Sequence, residues 1–192
     1  MKHNRIPLSF YQVSALELAP KLLGQLILCD DVLIRILETE AYMPDDSACH
    51  AYKGKTKRNT PMFAQGGIWY VYLCYGLHQM LNIVSGAQGS PQAVLIRGGE
   101  VLAGHEQVIQ RRGNLDLIGP GKLGKALGLD RTFSGEAIGT RIDVLEGAKV
   151  TYSTHPRIGI DYAQEQDRNA LWRFVTSPMT PSVQKKNPKK SQ

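Results

Sequence analysis

Several common signatures are missing from this 192-residue chain, and each absence removes a class of protein. Cysteine is scarce: Cys29, Cys49 and Cys74 are too few and too widely spaced for a disulfide framework, and they fit a reducing compartment. No run of eighteen apolar residues occurs, so no membrane-crossing helix is expected. The start, Met1 to Arg5, is basic but lacks a long apolar stretch or a small-residue cleavage site, and no secretory signal is expected. Gly-x-Gly-x-x-Gly and Gly-x-Ser-x-Gly are both absent, which leaves no dinucleotide fingerprint and no serine-hydrolase elbow. Cys49, His50, Cys74 and His78 lack the spacing of a zinc site, so no metal is expected. One near miss remains, Gly119 to Ala126 (GPGKLGKA). Ala126 carries no hydroxyl for Mg²⁺, and Pro120 removes a backbone donor from a would-be phosphate cradle. A plain helix start bearing Lys122, able to touch a single phosphate, is the better account.

Acid is missing from two places. All 17 acidic residues lie at or before Asp167, so the net charge of +6 comes from Arg168, Arg173, Lys185, Lys186, Lys189 and Lys190. Between Ser47 and Gly99 there is no acid, against Lys53, Lys55, Lys57, Arg58 and Arg97. A neutral body with a basic middle and a basic tail suits a polyanion such as nucleic acid; it also suits a merely solubilising surface.

The pattern predicts one α+β domain over 1–177 and an unstructured basic tail over 178–192. Ser14 and Glu17 have capping-box spacing for a short helix ending at Gly24, which Pro20 should kink or split. Residues 25–42 read as a hairpin turning at Asp30-Asp31, and 43–65 as a long polar loop. Further strands are expected at 68–75, 92–97, 141–150, 154–160 and 171–175. Gly98-Gly99 should introduce a helix from about Glu100 to Arg112, and Pro120 and Gly128 bracket another.

Strand alternation puts Glu38, Glu40 and Tyr42 on the face of Val32, Ile34 and Ile36. Carboxylates continuing a core-facing row must be paired at a rim or functional. Tyr70 and Tyr72 share a face and Tyr75 takes the other; such rings either pack a core or, beside the basic loop 53–58, stack on bases.

In combination these residues resemble the alkyladenine (3-methyladenine) DNA glycosylase family. The resemblance rests on ETEAY at 38–42, His50, TKRN at 56–59, PMF at 61–63, YVYLCYG at 70–76, Asn82 and Arg97. GPGKL at 119–123, RIGI at 157–160 and WRFV at 172–175 extend it, so that it spans Leu18 to Val175. It implies a curved, open barrel-like antiparallel sheet with surrounding helices and a hairpin that inserts into DNA. It also implies hydrolysis of the N-glycosidic bond of alkylated purines in double-stranded DNA, without cofactor, by a monomer residing where the DNA is: bacterial cytoplasm or eukaryotic nucleus.

Carried over by residue, Glu40 resembles the general base. Arg97 and the backbone carbonyl of Ile158 resemble its partners in holding the water. Tyr42, His50 and Tyr72 resemble the walls of the base pocket, and Asn82 its selectivity residue. Tyr75 resembles the wedge that fills the vacated stack, with Met62 and His78 near the opposite strand and Lys57, Arg58 and Lys122 on phosphates. Two positions depart from the family's pattern: His78 stands where eukaryotic relatives are expected to carry an aromatic ring, and Gly121 where a serine is common. Three rival readings stay open: a non-catalytic nucleic-acid module, a formyltransferase-like domain, and a lysine-dependent glycosylase with strand cleavage.

Overall fold

Ser14 caps the first helix, accepting the Glu17 N–H at 3.2 Å. The Glu17 carboxylate turns to Lys21 instead of closing the box, so half of the expected device forms. Helix α1, Ala15–Leu22, buries Ala15, Leu18, Ala19 and Leu22 at three- and four-residue spacing. Pro20 falls late in this short helix and does not split it; the helix ends two residues on. The computed structural model describes residues 3–177, and the expected tail over 178–192 lies outside the described residues.

Strands β1 (Leu26–Cys29) and β2 (Val32–Tyr42) form the expected hairpin, with Asp30 at φ 49° in its two-residue turn. An aspartate tolerates that left-handed geometry better than most residues. The other strands are β3 (Trp69–Cys74), β4 (His78–Val84), β5 (Ala93–Ala103), β6 (Leu117–Ile118), β7 (Ile142–Leu145), β8 (Tyr152–His155) and β9 (Arg173–Thr176). They pair antiparallel in the order β3-β4-β5-β2-β1-β7, with β6 added to β5 and β9 and β8 running off β2. Long β2 carries β5 on one edge, and β1 and then β9 along the other. The result is an α+β domain whose sheet curls into a half-barrel.

One face of the sheet, with Ile36, Trp69, Leu81 and Ile96, packs against Leu18 and Leu22 of α1 in the main core. Burying each large apolar side chain there contributes about 1.5–3 kcal/mol. The other face carries Tyr70, Tyr72 and Ala93 and forms a smaller cluster with Cys49 and Met62. Helices α2 (His105–Arg112), α3 (Pro120–Ala126) and α4 (Glu165–Asn169) complete the chain. Helix α3 lies so close to β4 that a Cβ on Gly124 would sit 2.0 Å from the Gln79 carbonyl oxygen.

The expected helix from Glu100 is corrected: 100–103 continue β5, and α2 starts only after Gly104 at φ 75°. Gly98 and Gly99 lie inside the strand, opposite Ile118 and Leu117 of β6. A Cβ on Gly99 would meet Ile34 Cγ2 at 2.4 Å, so the glycine allows two strands to approach rather than opening a helix. The strand expected over 154–160 ends at His155, and 156–160 are loop.

The shared face expected for Glu38, Glu40, Tyr42 and the isoleucines is also corrected. The β2–β5 register shifts between Ile36 and Glu38 and again at Thr39. Ile34 and Ile36 stay in the main core, which Ala41 rejoins, while the Thr39 hydroxyl donates to Ala19 O of α1. The bulge thus flips the pleat and aims Glu38, Glu40 and Tyr42 at the opposite face.

Candidate active site

That flip turns three consecutive same-face side chains toward a cavity of about 870 Å³, and Tyr42 is the one of them that lines it. Its walls include Tyr42, Tyr72, His50, Asn82, Arg97 and Ile158. Glu40 lies just behind this lining, 0% exposed, with three donors on its carboxylate. The Tyr42 hydroxyl donates to its Oε2 at 2.8 Å, and the Ile158 N–H to Oε1 at 2.9 Å. Arg97 Nη1 stands 3.4 Å from Oε1. Burial pushes the Glu40 carboxyl above the usual carboxylate range; Arg97, the Ile158 N–H and the Tyr42 hydroxyl oppose that push. The Ile158 carbonyl is expected on the attacking water; the N–H of the same residue is the group that bonds Glu40.

Arg97 reaches this position from β5 with its Nε bonded to Glu38 Oε1 at 3.1 Å, and Arg173 of β9 bonds the same oxygen at 3.1 Å. The Ile158 loop is fixed by Arg157, which forms a bidentate, fully buried pair with Asp46. The Arg157 guanidinium also stacks 4.6 Å from the Tyr42 ring and 4.9 Å from the Trp172 ring. Asp167 joins the neighbouring loop by accepting from the Ser47 N–H at 2.9 Å. Asp46, Arg157, Asp167 and Arg173 were not expected at the site. Asp46 and Arg157 stand 111 residues apart and share no motif, so no local pattern could have joined them.

The cavity wall is aromatic. His50 packs edge-on to Tyr72 with centroids 4.3 Å apart, and Tyr70 lies 5.4 Å from Tyr72. His50 Nδ1 and the Tyr70 hydroxyl are 3.0 Å apart. His50 opens onto the cavity, yet burial of its ring among these groups and then the Arg58 charge push its pKa down to about 4. At neutral pH it adds no positive charge. Burial likewise pushes Tyr70 up to about 12, so its hydroxyl keeps its proton. Asn82, 4% exposed, lines the wall with its amide tied to Tyr70 O at 3.0 Å and Met80 O at 3.3 Å.

Tyr75 stands on the tip of the β3–β4 hairpin, 88% exposed. Arg58 lies over the Tyr72 ring at 5.2 Å and borders the cavity, and Lys57 is exposed beside it. Lys122 is exposed on α3 and pairs with Asp116 at 2.5 Å. Met62 is 2% exposed, packed in the cluster with Tyr70 and Cys49, and lies at the cavity wall rather than on the outer surface. His78 is exposed at the start of β4. A Cβ on Gly121 would lie 2.7 Å from its ring, so the two departures from the family's pattern touch each other: the histidine fills the space a serine there would take. Tyr162, unexpected, faces the cavity with its hydroxyl on Ala48 O at 3.1 Å. Among the described residues no three His, Cys, Asp or Glu side chains gather into a cluster able to hold a metal ion.

A buried carboxylate behind an aromatic-walled cavity, on a half-barrel beside an exposed tyrosine, is the layout of a hydrolase that takes in a flat ring. The chain belongs to the methylpurine-DNA glycosylase family, whose model matches residues 9–179. It is 46% identical over 181 residues to the DNA-3-methyladenine glycosylase of Arabidopsis thaliana, covering 90% of this chain and 71% of that one. It is 42% identical to a putative 3-methyladenine DNA glycosylase of Nitrosococcus oceani, covering 88% and 89%. A protein of the same description from Chlorobaculum parvum is 41% identical, covering 97% and 95%. The enzyme is a DNA-repair N-glycosylase that hydrolyses alkylated purines from DNA. Among the described residues no helix is long and apolar enough to cross a membrane.

Proposed function

We propose that this enzyme flips cationic alkylated purines, of the 3-methyladenine and 7-methylguanine type, out of duplex DNA and releases them with a water activated by Glu40. The observation that carries this reading is the wholly buried Glu40 carboxylate, held by three donors directly behind the aromatic wall. An N3- or N7-alkylated purine is already a good leaving group, so the site needs a placed water, a proton acceptor and negative charge near the developing sugar cation. Glu40 supplies the last two. The electron-rich faces of Tyr42 and Tyr72 favour a desolvated cationic base by about 0.5–2 kcal/mol per contact. A neutral His50 spares that cation a like charge.

In this reading Tyr75 fills the gap in the stack, and Lys57, Arg58 and Lys122 contact flanking phosphates. Ile158, half exposed outside Glu40, is the part of the wall that yields to admit the water. This reading takes the enzyme to act as a monomer. Neither a lysine Schiff base nor strand cleavage enters.

Glu40→Gln tests the reading. The amide keeps the shape but cannot take a proton, so single-turnover base release should fall by about 10²–10⁴ while duplex binding stays near wild type. In the wild-type enzyme the base must be ionised, so release should fall as pH drops through a Glu40 pKa lying above the ordinary glutamate range. Wild-type rates in Glu40→Gln would refute the role.

A further inference from the structure

Glu38 stands two residues before Glu40 on the same face of β2, and nothing in the chemistry above uses it. It is 4% exposed. One oxygen, Oε1, accepts both Arg97 Nε and Arg173 Nη1, each at 3.1 Å. Each arginine then leads to Glu40 by a different route. Arg97 points Nη1 at Glu40 Oε1 from 3.4 Å. Arg173 donates from Nε to the Pro156 carbonyl at 2.9 Å, two residues before the amide that bonds Glu40 at 2.9 Å. The carboxylate is therefore the point where the two supports of the catalytic base meet. An unclamped Arg97 would be free to close on Glu40, and an unclamped Arg173 would release the 156–158 segment.

We propose that Glu38 is a positioning residue: by clamping Arg97 and Arg173 it holds Arg97 and the Ile158 N–H at the distances that keep Glu40 a working base. This rests on the reading of Glu40 as that base. The alternative is an ion pair that merely ties β2, β5 and β9 together.

The two differ in what they do to the proton affinity of Glu40. The groups facing Glu40 are Glu38 and Tyr42 from β2, Arg97 from β5, Arg173 from β9, and the Ile158 N–H and Arg157 from the loop, the last neutralised by Asp46. Among these, the Glu38 charge raises the affinity, whereas Arg97 and the Ile158 N–H lower it. Removing only the charge of Glu38 leaves a like charge gone and Arg97 given over to Glu40, which lowers the pKa. Cutting Arg173 loosens the Ile158 donor and leaves Glu38 to draw Arg97 away, which raises it. A tie between strands predicts loss of stability and at most the downward shift that loss of the Glu38 charge produces, with no upward shift on cutting Arg173, whose charge is not among the causes that set the Glu40 pKa.

The experiment is single-turnover release of 7-methylguanine from a duplex, measured from pH 5 to 9 for wild type, Glu38→Gln and Arg173→Met. That base is cationic without added acid, so the acid limb of the profile reports the base. Glu38→Gln should move the limb down by about half a pH unit or more, and Arg173→Met should move it up by a similar amount. Unmoved limbs, a shift in Glu38→Gln alone, or shifts in one common direction, with Glu40→Gln inactive, would overturn the positioning role and leave the base assignment standing. A fully active Glu40→Gln would instead remove the assignment beneath it. Thermal melts run alongside identify any variant that fails to fold. If Glu38→Gln does so, Arg173→Met alone decides, an upward shift supporting the clamp and any other result rejecting it.

Discussion

Asn82 meets two demands with one side chain. Its amide nitrogen satisfies two backbone carbonyls of the β3–β4 pair, and its body still forms part of the cavity wall. Those bonds keep it from swinging aside, so it acts as a rigid steric feature. Guanine carries an exocyclic amino group on its minor-groove edge where adenine has none. In Asn82→Ser the wall recedes and the Glu40 chemistry is untouched. Release of unmodified guanine relative to adenine should rise, most in mispairs, where extrusion costs less. Comparing both bases in matched and mispaired duplexes checks this; no relative gain for guanine means that Asn82 is not the filter.

At the scale of elements, the β3–β4 hairpin and the β2 bulge do most to make a site. Tyr75 takes φ 49° at the hairpin tip, a left-handed geometry that costs a non-glycine residue about 1 kcal/mol. Such strain in an 88% exposed ring has no folding purpose, since the ring packs against little. Tyr75→Gly should relieve the strain, partly offset by the chain entropy glycine adds. The expected outcome is a melting temperature unchanged or slightly raised, together with a clear fall in excision. If excision stays intact, the tyrosine is not the wedge. The bulge around Leu37 is a more cryptic device. A sheet with strict alternation would put Glu38 and Glu40 in the main core; the register shifts at Ile36/Glu38 and Glu38/Thr39 turn them instead to the face behind the pocket wall.

For the whole molecule, charge and long-range pairing matter most. The Asp46–Arg157 pair is fully buried and binds together two loops distant in sequence. Asp46→Ala would leave a buried guanidinium without its carboxylate, costing about 3–5 kcal/mol. For a domain of this size that lowers the melting temperature by on the order of 10 °C, readable by calorimetry. The net charge of +6 has a separate reading. Deleting residues 185–192 removes four lysines and no aromatic ring, so it should weaken duplex binding without altering which lesion is released. If all four meet phosphates, the log–log salt slope shrinks by up to about 3.6. An unchanged slope would show that those lysines do not meet DNA.

What the sequence determined by itself was local or written in motif spacing. The Ser14 cap, the Asp30-Asp31 turn and the aromatic strand at 69–74 follow from short-range chemistry. The family, and with it the candidacy of Glu40, Tyr42, His50, Tyr72 and Arg97, follows from residue types at fixed intervals. Where the chain departs from regular periodicity, local reading failed: Gly98-Gly99 looks like a helix entry but serves close strand packing, and alternation assigned Glu38 and Glu40 to the wrong face. Only the tertiary structure buried Met62, brought His78 onto Gly121, and set Glu38 between Arg97 and Arg173. The physical reason is distance along the chain. A cap or turn is decided within four residues, whereas contacts between residues 38, 97 and 173 exist only once β2, β5 and β9 have paired.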